Sequence, residues 1–288
     1  MTNATVNAIL RRERAIVIAA LTTITILAWA YVLWLAAQMS MMDMPAAAAA
    51  GGMAGMDMPG MNMSGMNMGA VSAAAEPAFR PWSIADFGFV FIMWAVMMVG
   101  MMTPSVAPMV LLYATVGRKA AASGRPLAAT GWFLAGYLSA WTAFSLAAAG
   151  AQWMLTRLAL LTPMMESVSG IFGGLLLIAA GLYQWSPLKD TCLKQCQTPL
   201  GFLMTHGGFR SEPFGALRLG AEHGLYCVGC CWVLMALLFV GGVMNVLWIA
   251  GLAILVLMEK IVPTGHLIPR LAGAGLAAAG LFLLIRAF

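Results

Sequence analysis

Residues 223–258 read HGLYCVGCCWVLMALLFVGGVMNVLWIAGLAILVLM and carry no formally charged side chain. One crossing of a bilayer needs about 20 predominantly apolar residues, so a run of this length is too long for a single span. Gly241 and Gly242, followed by Asn245, predict a tight hairpin near its middle. The run therefore predicts two short membrane spans, at about 225–240 and 243–258.

The rest of the chain shares this apolar character. Of its 288 residues 62% are hydrophobic and 9% are charged, and the mean hydropathy is +0.90. Soluble domains average about 25% charged residues, so this chain cannot cover itself with polar surface. We therefore predict an all-α, polytopic transmembrane helical bundle. The net charge of +5 indicates topology rather than affinity for nucleic acid.

Seven spans are predicted in all. The first, 16–37, is longer than the ~7–15 apolar residues of a signal peptide, so we favour an uncleaved anchor over a cleaved signal. The other predicted spans outside the hairpin are 87–113, 127–154, 168–185 and 271–285. The domain organisation is then 1–37, an N-terminus with the first span; 38–85, a linker; and 86–288, a six-span membrane domain.

The distribution of positive charge predicts the topology. With the N-terminus in the cytoplasm, twelve of the fifteen Lys and Arg residues fall on the cytoplasmic side, and only Arg80, Arg157 and Arg286 fall outside. We expect a multi-pass protein of the bacterial inner membrane, with the linker in the periplasm. All five cysteines, within residues 192–231, then lie near the reducing cytoplasmic face.

The linker is unusually rich in methionine, with eleven among residues 39–68. It has no helical or strand period, so we predict that it is disordered. Thioether sulfur suits Cu(I) and is a poor ligand for zinc, magnesium or calcium. Accidental bias in a flexible linker is the alternative. The candidate ligands here are Met56, Met58, Met61, Met63, Met66 and Met68.

A second group of soft donors stands at the start of the opening stretch. In a helix, His223, Cys227 and Cys231 follow at i, i+4 and i+8 on one face, with Cys230 beside them. Cys192 and Cys196 form another i, i+4 pair that would supply further ligands. Thiolate with imidazole suits Cu(I) or zinc, and an iron–sulfur cluster less well. Ordinary small buried residues are the alternative.

The second predicted span places Met93, Met97 and Met101 on one helix face, with Met98 and Met102 beside them. These methionines would pass an ion inward from the linker, or would pack as ordinary core residues. Two prolines, Pro104 and Pro108, are predicted to kink or break this helix.

One charged pair, Glu259-Lys260, ends the sixth predicted span. It is either a snorkelling anchor at the membrane surface or part of an ion path. The lone loop histidines, His206 and His266, are expected to be solvated.

Several blocks of sequence match a family pattern: Met93-Trp94, Pro187-Leu-Lys189, Cys192-Leu-Lys-Gln-Cys196, Gly220-Ala-Glu-His223 through Met235, Gly242-Val-Met244-Asn245 and Glu259-Lys260. Over about residues 85–265 the chain resembles a bacterial family catalogued as predicted metal-binding integral membrane proteins, domain of unknown function 2182. The resemblance implies metal binding and no established reaction. The first span and the methionine linker lie outside it.

These features together predict a protein that binds and handles a soft metal, with Cu(I) favoured. External methionines would capture the ion and the Cys/His cluster would hold it, with net transport left open. The expected partners are the lipid bilayer, the soft metal ion and a periplasmic copper protein. The sequence contains no ATP-binding, phosphorylation or hydrolase motif, so no motif of these kinds indicates an enzyme. The alternatives are a membrane thiol–disulfide oxidoreductase, using Cys192/Cys196 or Cys227/Cys230, and a zinc-stapled assembly factor.

Overall fold

The structure, a computed structural model, describes residues 3–54, 82–124, 127–158, 170–262 and 265–287. Every regular element in these residues is an α-helix, which confirms the predicted all-α class. The helices are α1 (Asn3–Ala54), α2 (Ile84–Ala122), α3 (Thr130–Arg157), α4 (Gly170–Tyr183), α5 (Pro187–Gln197), α6 (Pro199–Thr205), α7 (Pro213–Ala236), α8 (Leu238–Gly241), α9 (Val246–Ile261) and α10 (Leu267–Ala287).

Within the described residues, five helical stretches are long and apolar enough to cross a membrane: Arg14–Met39, Ile84–Ala121, Thr130–Arg157, Pro213–Gly241 and Leu267–Ala287. There are up to six if α4 and α5, which meet at a bend of 64°, form one broken span. The predicted sixth span corresponds to α9, which has only 16 residues. The described residues therefore contain five or six candidate spans, compared with the seven predicted from apolar runs alone.

The first helix extends beyond the end predicted from the sequence. Helix α1 continues through residues 38–54, the first part of the linker that we predicted to be disordered. Alanine and methionine are strong helix formers, and Ala46–Ala50 favours continuation of the helix over a flexible chain. Residues 55–81, with the six candidate methionine ligands of the linker, lie outside the described residues.

Residues 186–222, which separate two of the predicted spans, are also largely helical. Helices α5, α6 and α7 each start with a proline, at Pro187, Pro199 and Pro213. Proline at the first helical position has no N–H to leave unpaired and has a φ angle suited to the helix. Helix α7 thus begins at Pro213, which is 12 residues before the predicted start of the fifth span at 225.

Helix α2 runs through both of its prolines without a break, unlike the predicted interruption. Carbonyl groups around Pro104 accept hydrogen bonds from hydroxyls: Thr103 Oγ1 donates to Val99 O at 2.7 Å, and Ser105 Oγ donates to Met102 O at 2.9 Å. Proline is tolerated in membrane helices where hydroxyl side chains and neighbouring helices provide such bonds.

Helices α3 and α7 pack closely because glycines face each other at their crossing. A Cβ on Gly220 would overlap the Phe133 carbonyl, and one on Gly136 would overlap the Leu217 carbonyl. Small residues allow helix backbones to approach in this way in membrane proteins. The close approach brings Tyr137 of α3 against the cysteine-bearing face of α7.

The Gly220→Ala variant is therefore expected to lose about 1–3 kcal/mol of stability, because the added methyl group must push the two backbones apart. Thermal unfolding of the purified protein in detergent measures this loss. The control is Gly150→Ala, where nothing lies within 4 Å of the added Cβ. Equal melting temperatures for the two variants would contradict the close crossing.

Candidate metal centre

Helix α7 carries the cluster predicted from the opening stretch. His223, Cys227, Cys230 and Cys231 are all buried, at 0–3% exposure. Cys227 lies 14 residues from Pro213 (227 − 213 = 14), or about 21 Å along the helix. The cluster therefore lies well inside helix α7, among buried residues, rather than at the start of a helix, because α7 begins earlier than predicted.

The Cys227 sulfur is the centre of the cluster. Lys260 Nζ donates to Cys227 Sγ at 2.8 Å, and the Tyr137 hydroxyl lies 3.0 Å from the same sulfur. The side chains of Cys196, Cys230 and Cys231 also interact with that of Cys227. Helices α3, α5, α7 and α9 thus all contribute side chains around one sulfur.

Three of the other thiols have further contacts near the cluster. Cys230 Sγ and Cys231 Sγ both donate to the Cys227 carbonyl, at 3.1 and 3.0 Å. Cys192 Sγ packs against Gly229, 2.9 Å from the position a Cβ would take there. All five cysteines are free thiols. Within the described ranges, no three His, Cys, Asp or Glu side chains are arranged to hold a metal ion.

His223 lies one helical turn before Cys227 and is enclosed by aromatic rings. Phe202 meets its ring edge-on at 4.8 Å, and Phe133 and Tyr137 lie at 6.0 Å. Its Nδ1 is buried and has no hydrogen-bond partner among the described residues. A buried polar atom without a hydrogen-bond partner is energetically unfavourable, and a bound metal ion would supply the missing partner. This nitrogen is therefore a candidate ligand.

The methionines of α2 form a buried row that leads to Cys227. Met93, Met97, Met98, Met101 and Met102 are all at most 2% exposed. Met102 is the last of these five methionines, and its Sδ lies 3.9 Å from the Lys260 Nζ that also contacts Cys227. Met109, which is also buried, lies seven residues further along α2.

Ring contacts show that α2 and α7 run in opposite directions. Trp94 contacts Phe239 beyond the end of α7, and Tyr113 contacts Phe209 just before its start, both with ring centroids 5.3 Å apart. The two rows of sulfur therefore approach each other near the middle of both helices.

A buried polar network fixes the end of α9. The Lys189 ammonium lies 2.7 Å from Glu259 Oε2 and also donates to the Gln184 side chain, while Gln184 Nε2 donates to Glu259 Oε1 at 2.9 Å. Gln197 Nε2 donates to the Glu259 carbonyl at 2.7 Å. The network ties α9, which carries Lys260, to α5, which carries Cys192 and Cys196.

Sequence reasoning identified some of these residues and missed others. It left open whether Glu259 and Lys260 form a snorkelling anchor at the membrane surface or part of an ion path. Both residues are buried, at 3% and 7% exposure, so neither side chain is at the surface of the protein. It did not identify Lys189, which stands in a polar stretch of sequence. The two other histidines are engaged outside the cluster: His206 Nδ1 bonds to Phe202 O at 2.9 Å, and His266 Nδ1 lies 3.0 Å from Asp190 Oδ1.

A comparison with models of known protein families finds one that matches most of this chain. The copper chaperone family PpoB2 matches residues 91–283. The chain belongs to the PpoB2 copper chaperone family. The match spans the methionine row, the Cys/His cluster and the buried network, and excludes the first helix and the methionine linker. The expectation of a metal-related family is confirmed as a copper-related one.

No curated protein and no solved structure matches this copper chaperone family member. Its residues must therefore be interpreted from their own chemistry. The described interior offers thioether, thiol and imidazole groups, which are the ligand types preferred by soft metal ions.

Proposed function

We propose that this protein is an integral membrane copper chaperone of the bacterial inner membrane, which receives Cu(I) on methionines and holds it at a Cys/His site around Cys227. The observation that carries the proposal is the convergence of Met102 and Cys227 on one lysine, with the methionine row behind Met102 and the cysteines around Cys227. Membership of a copper chaperone family supports the choice of copper.

A membrane location is supported by the outward faces of the helices. Ile26 of α1 is 61% exposed and Leu225 of α7 is 63% exposed. Large apolar side chains exposed on several helices mark a surface that contacts lipid or another apolar partner. The candidate spans provide the length required to cross the bilayer.

The entry step is proposed for the linker. Residues 55–81 precede α2 in the sequence, and the methionine row begins in the first part of that helix, so the linker is the proposed entry segment. A periplasmic copper protein would be the donor or acceptor there. The proposed capture ligands are Met56, Met58, Met61, Met63, Met66 and Met68.

The passage is proposed along α2, from Met93 through Met97 and Met101 to Met102. From Met93 to Met102 is nine residues (102 − 93 = 9), or about 13.5 Å along the helix. Buried thioethers at i, i+4 spacing give an ion successive neutral, soft ligands. Because these ligands are uncharged, each step leaves the ion loosely held and able to move on.

The holding site is proposed around Cys227. The thiols of Cys230 and Cys231 now bond to the Cys227 carbonyl and need only rotate to offer their sulfur to the same ion. Cys196 contacts the cluster from α5, with Cys192 one turn before it, and His223 supplies an unpartnered nitrogen. Cu(I) accepts few ligands, so a subset of these six residues suffices.

The capture step is tested by replacing the six methionines between 56 and 68 with leucine, which keeps similar size and apolar character but removes the sulfur. Copper bound per purified protein under reducing conditions is expected to fall, while the copper held by the membrane domain remains. Elemental analysis measures both forms. Unchanged copper content would refute the role of the linker.

This experiment has a matched control variant and a second measurement, thiol trapping. Met204 on α6 is 76% exposed, and Met204→Leu should leave the copper content unchanged. Thiol trapping of the same samples distinguishes the redox alternative. Cysteines that stay reduced and become protected by copper agree with the chaperone proposal, whereas a pair that cycles through a disulfide would favour an oxidoreductase.

A further inference from the structure

The Lys260 side chain occupies an unusual position for a cation. It is 7% exposed, and its ammonium contacts Cys227 Sγ at 2.8 Å, Ser105 Oγ at 3.2 Å and Met102 Sδ at 3.9 Å. The neighbouring carboxylate, Glu259, is engaged by Lys189. Lysine is rarely buried without a charged partner, so a lysine whose contacts are two sulfurs and a hydroxyl requires a specific explanation.

The contacts of Lys260 coincide with the junction of the two sulfur rows. Met102 is the methionine of the α2 row that contacts Lys260, and Cys227 is the centre of the cluster on α7. The ammonium is close to both sulfurs at once. An ion moving from the thioether of Met102 to the thiol of Cys227 must enter the space that the ammonium now fills.

We propose that Lys260 is a specificity-determining residue, a tethered cation that closes the junction between Met102 and Cys227 to every ion except one that binds sulfur strongly enough to displace it. The inference rests on the proposed function and adds a selection step to it. The ions selected are soft monovalent cations, Cu(I) and its close analogue Ag(I).

The selection follows from two opposing interactions. Any cation that approaches the junction is repelled by the ammonium, and this repulsion is strong in an interior of low effective dielectric constant. Hard cations gain little from thioether and thiol ligands, so nothing offsets the repulsion. Cu(I) gains sulfur bonds that a hard ion lacks, and its single charge produces less repulsion than a divalent ion.

Displacement requires no chemical change in the lysine. The contact between Nζ and Cys227 Sγ is replaced by a bond between Cu(I) and that sulfur as its thiolate. The Cys227 thiol releases its proton when the ion binds, and the ammonium keeps its own protons. Lys260 is the penultimate residue of α9, which ends at Ile261, and its four-carbon stem is flexible. The ammonium can therefore turn toward the polar end of the helix, as lysines near helix ends do in membranes.

A purely supporting role for Lys260 predicts the opposite result on substitution. If the ammonium only holds Cys227 in place as a ligand, its removal weakens Cu(I) binding. If the ammonium competes with the ion, its removal strengthens Cu(I) binding and admits other metals. The sign of the change in affinity therefore separates the two roles.

The test compares the full-length wild-type protein with Lys260→Leu and Lys194→Leu, since leucine removes the charge without adding a sulfur ligand. Lys194 is exposed on α5, so its substitution removes one charge without touching the junction. Cu(I) and Ag(I) affinities are measured by competition with a chromophoric chelator, and Zn(II) retention is measured by elemental analysis. We expect Lys260→Leu to bind Cu(I) at least about 10-fold more tightly, to release it more slowly and to retain Zn(II), with Lys194→Leu like wild type.

Equal or weaker Cu(I) binding by Lys260→Leu, with a melting temperature near that of wild type, would overturn the inference. If this variant is unstable, Lys260→Gln provides the same comparison with a polar side chain in the same space. Failure of the wild-type protein itself to bind Cu(I) would instead refute the proposed function. The two failures are therefore distinguishable in one set of samples.

Discussion

The Cys227→Ser variant is expected to lose high-affinity Cu(I) binding, with an increase in Kd of at least about 100-fold. The reason is that four helices contribute side chains around this one sulfur, including Lys260 at 2.8 Å and Tyr137 at 3.0 Å. Serine keeps the size and the hydrogen bonds but replaces a soft ligand by a hard one. Competition titration with a Cu(I) chelator under reducing conditions measures the change.

The matched control for this experiment is Cys192→Ser, the same chemical change on α5. Cys192 packs against Gly229 and lies beside the cluster rather than at its centre. We expect a decrease in affinity that is much smaller than for Cys227. If the two variants lose affinity equally, the cysteines bind as separate pairs and the site is not centred on Cys227.

The Lys189→Met variant is expected to lose about 3–5 kcal/mol of stability, the largest effect among the structural substitutions. The exposed fractions of the Lys189 and Glu259 side chains are 0% and 2%. Removing one partner leaves the other charge buried without compensation. Thermal unfolding in detergent measures the loss, and the exposed Lys194→Met is the control.

A double substitution tests the origin of this loss. In Lys189→Met/Glu259→Leu neither charge remains, so the desolvation penalty disappears together with the attraction. The double variant should regain most of the stability that Lys189→Met lost. If instead the two losses add, the residues stabilise the protein independently and do not act as a pair.

The apolar runs of the sequence were sufficient to predict an all-α protein and the approximate positions of its long helices. They did not predict where helices end. Three helices around the cysteines start at prolines in a stretch that appeared polar, and α7 begins at Pro213 rather than near Leu225. A hydropathy pattern reports burial in lipid, whereas helix termini depend on capping and backbone constraints that extend beyond the apolar region.

The positions of the candidate ligands were predictable in part for a similar reason. The i, i+4 spacing of His223, Cys227 and Cys231 places them on one face of any helix, and the structure buries all three. The same spacing says nothing about contacts with other helices. The approach of Lys260 to Cys227 spans 33 residues of sequence, and that of Met102 to Lys260 spans 158.

By itself, the sequence determined the helical class, the apolar character and the two rows of soft donors, because composition and periodicity along one chain are enough for each. Only the tertiary structure decided that the rows meet, that Cys227 lies inside the bundle and that Lys260 fills the junction. These features depend on close crossings at Gly136 and Gly220 and on the buried Lys189–Glu259 pair. Such contacts arise between segments distant in sequence, where no local pattern specifies the partner.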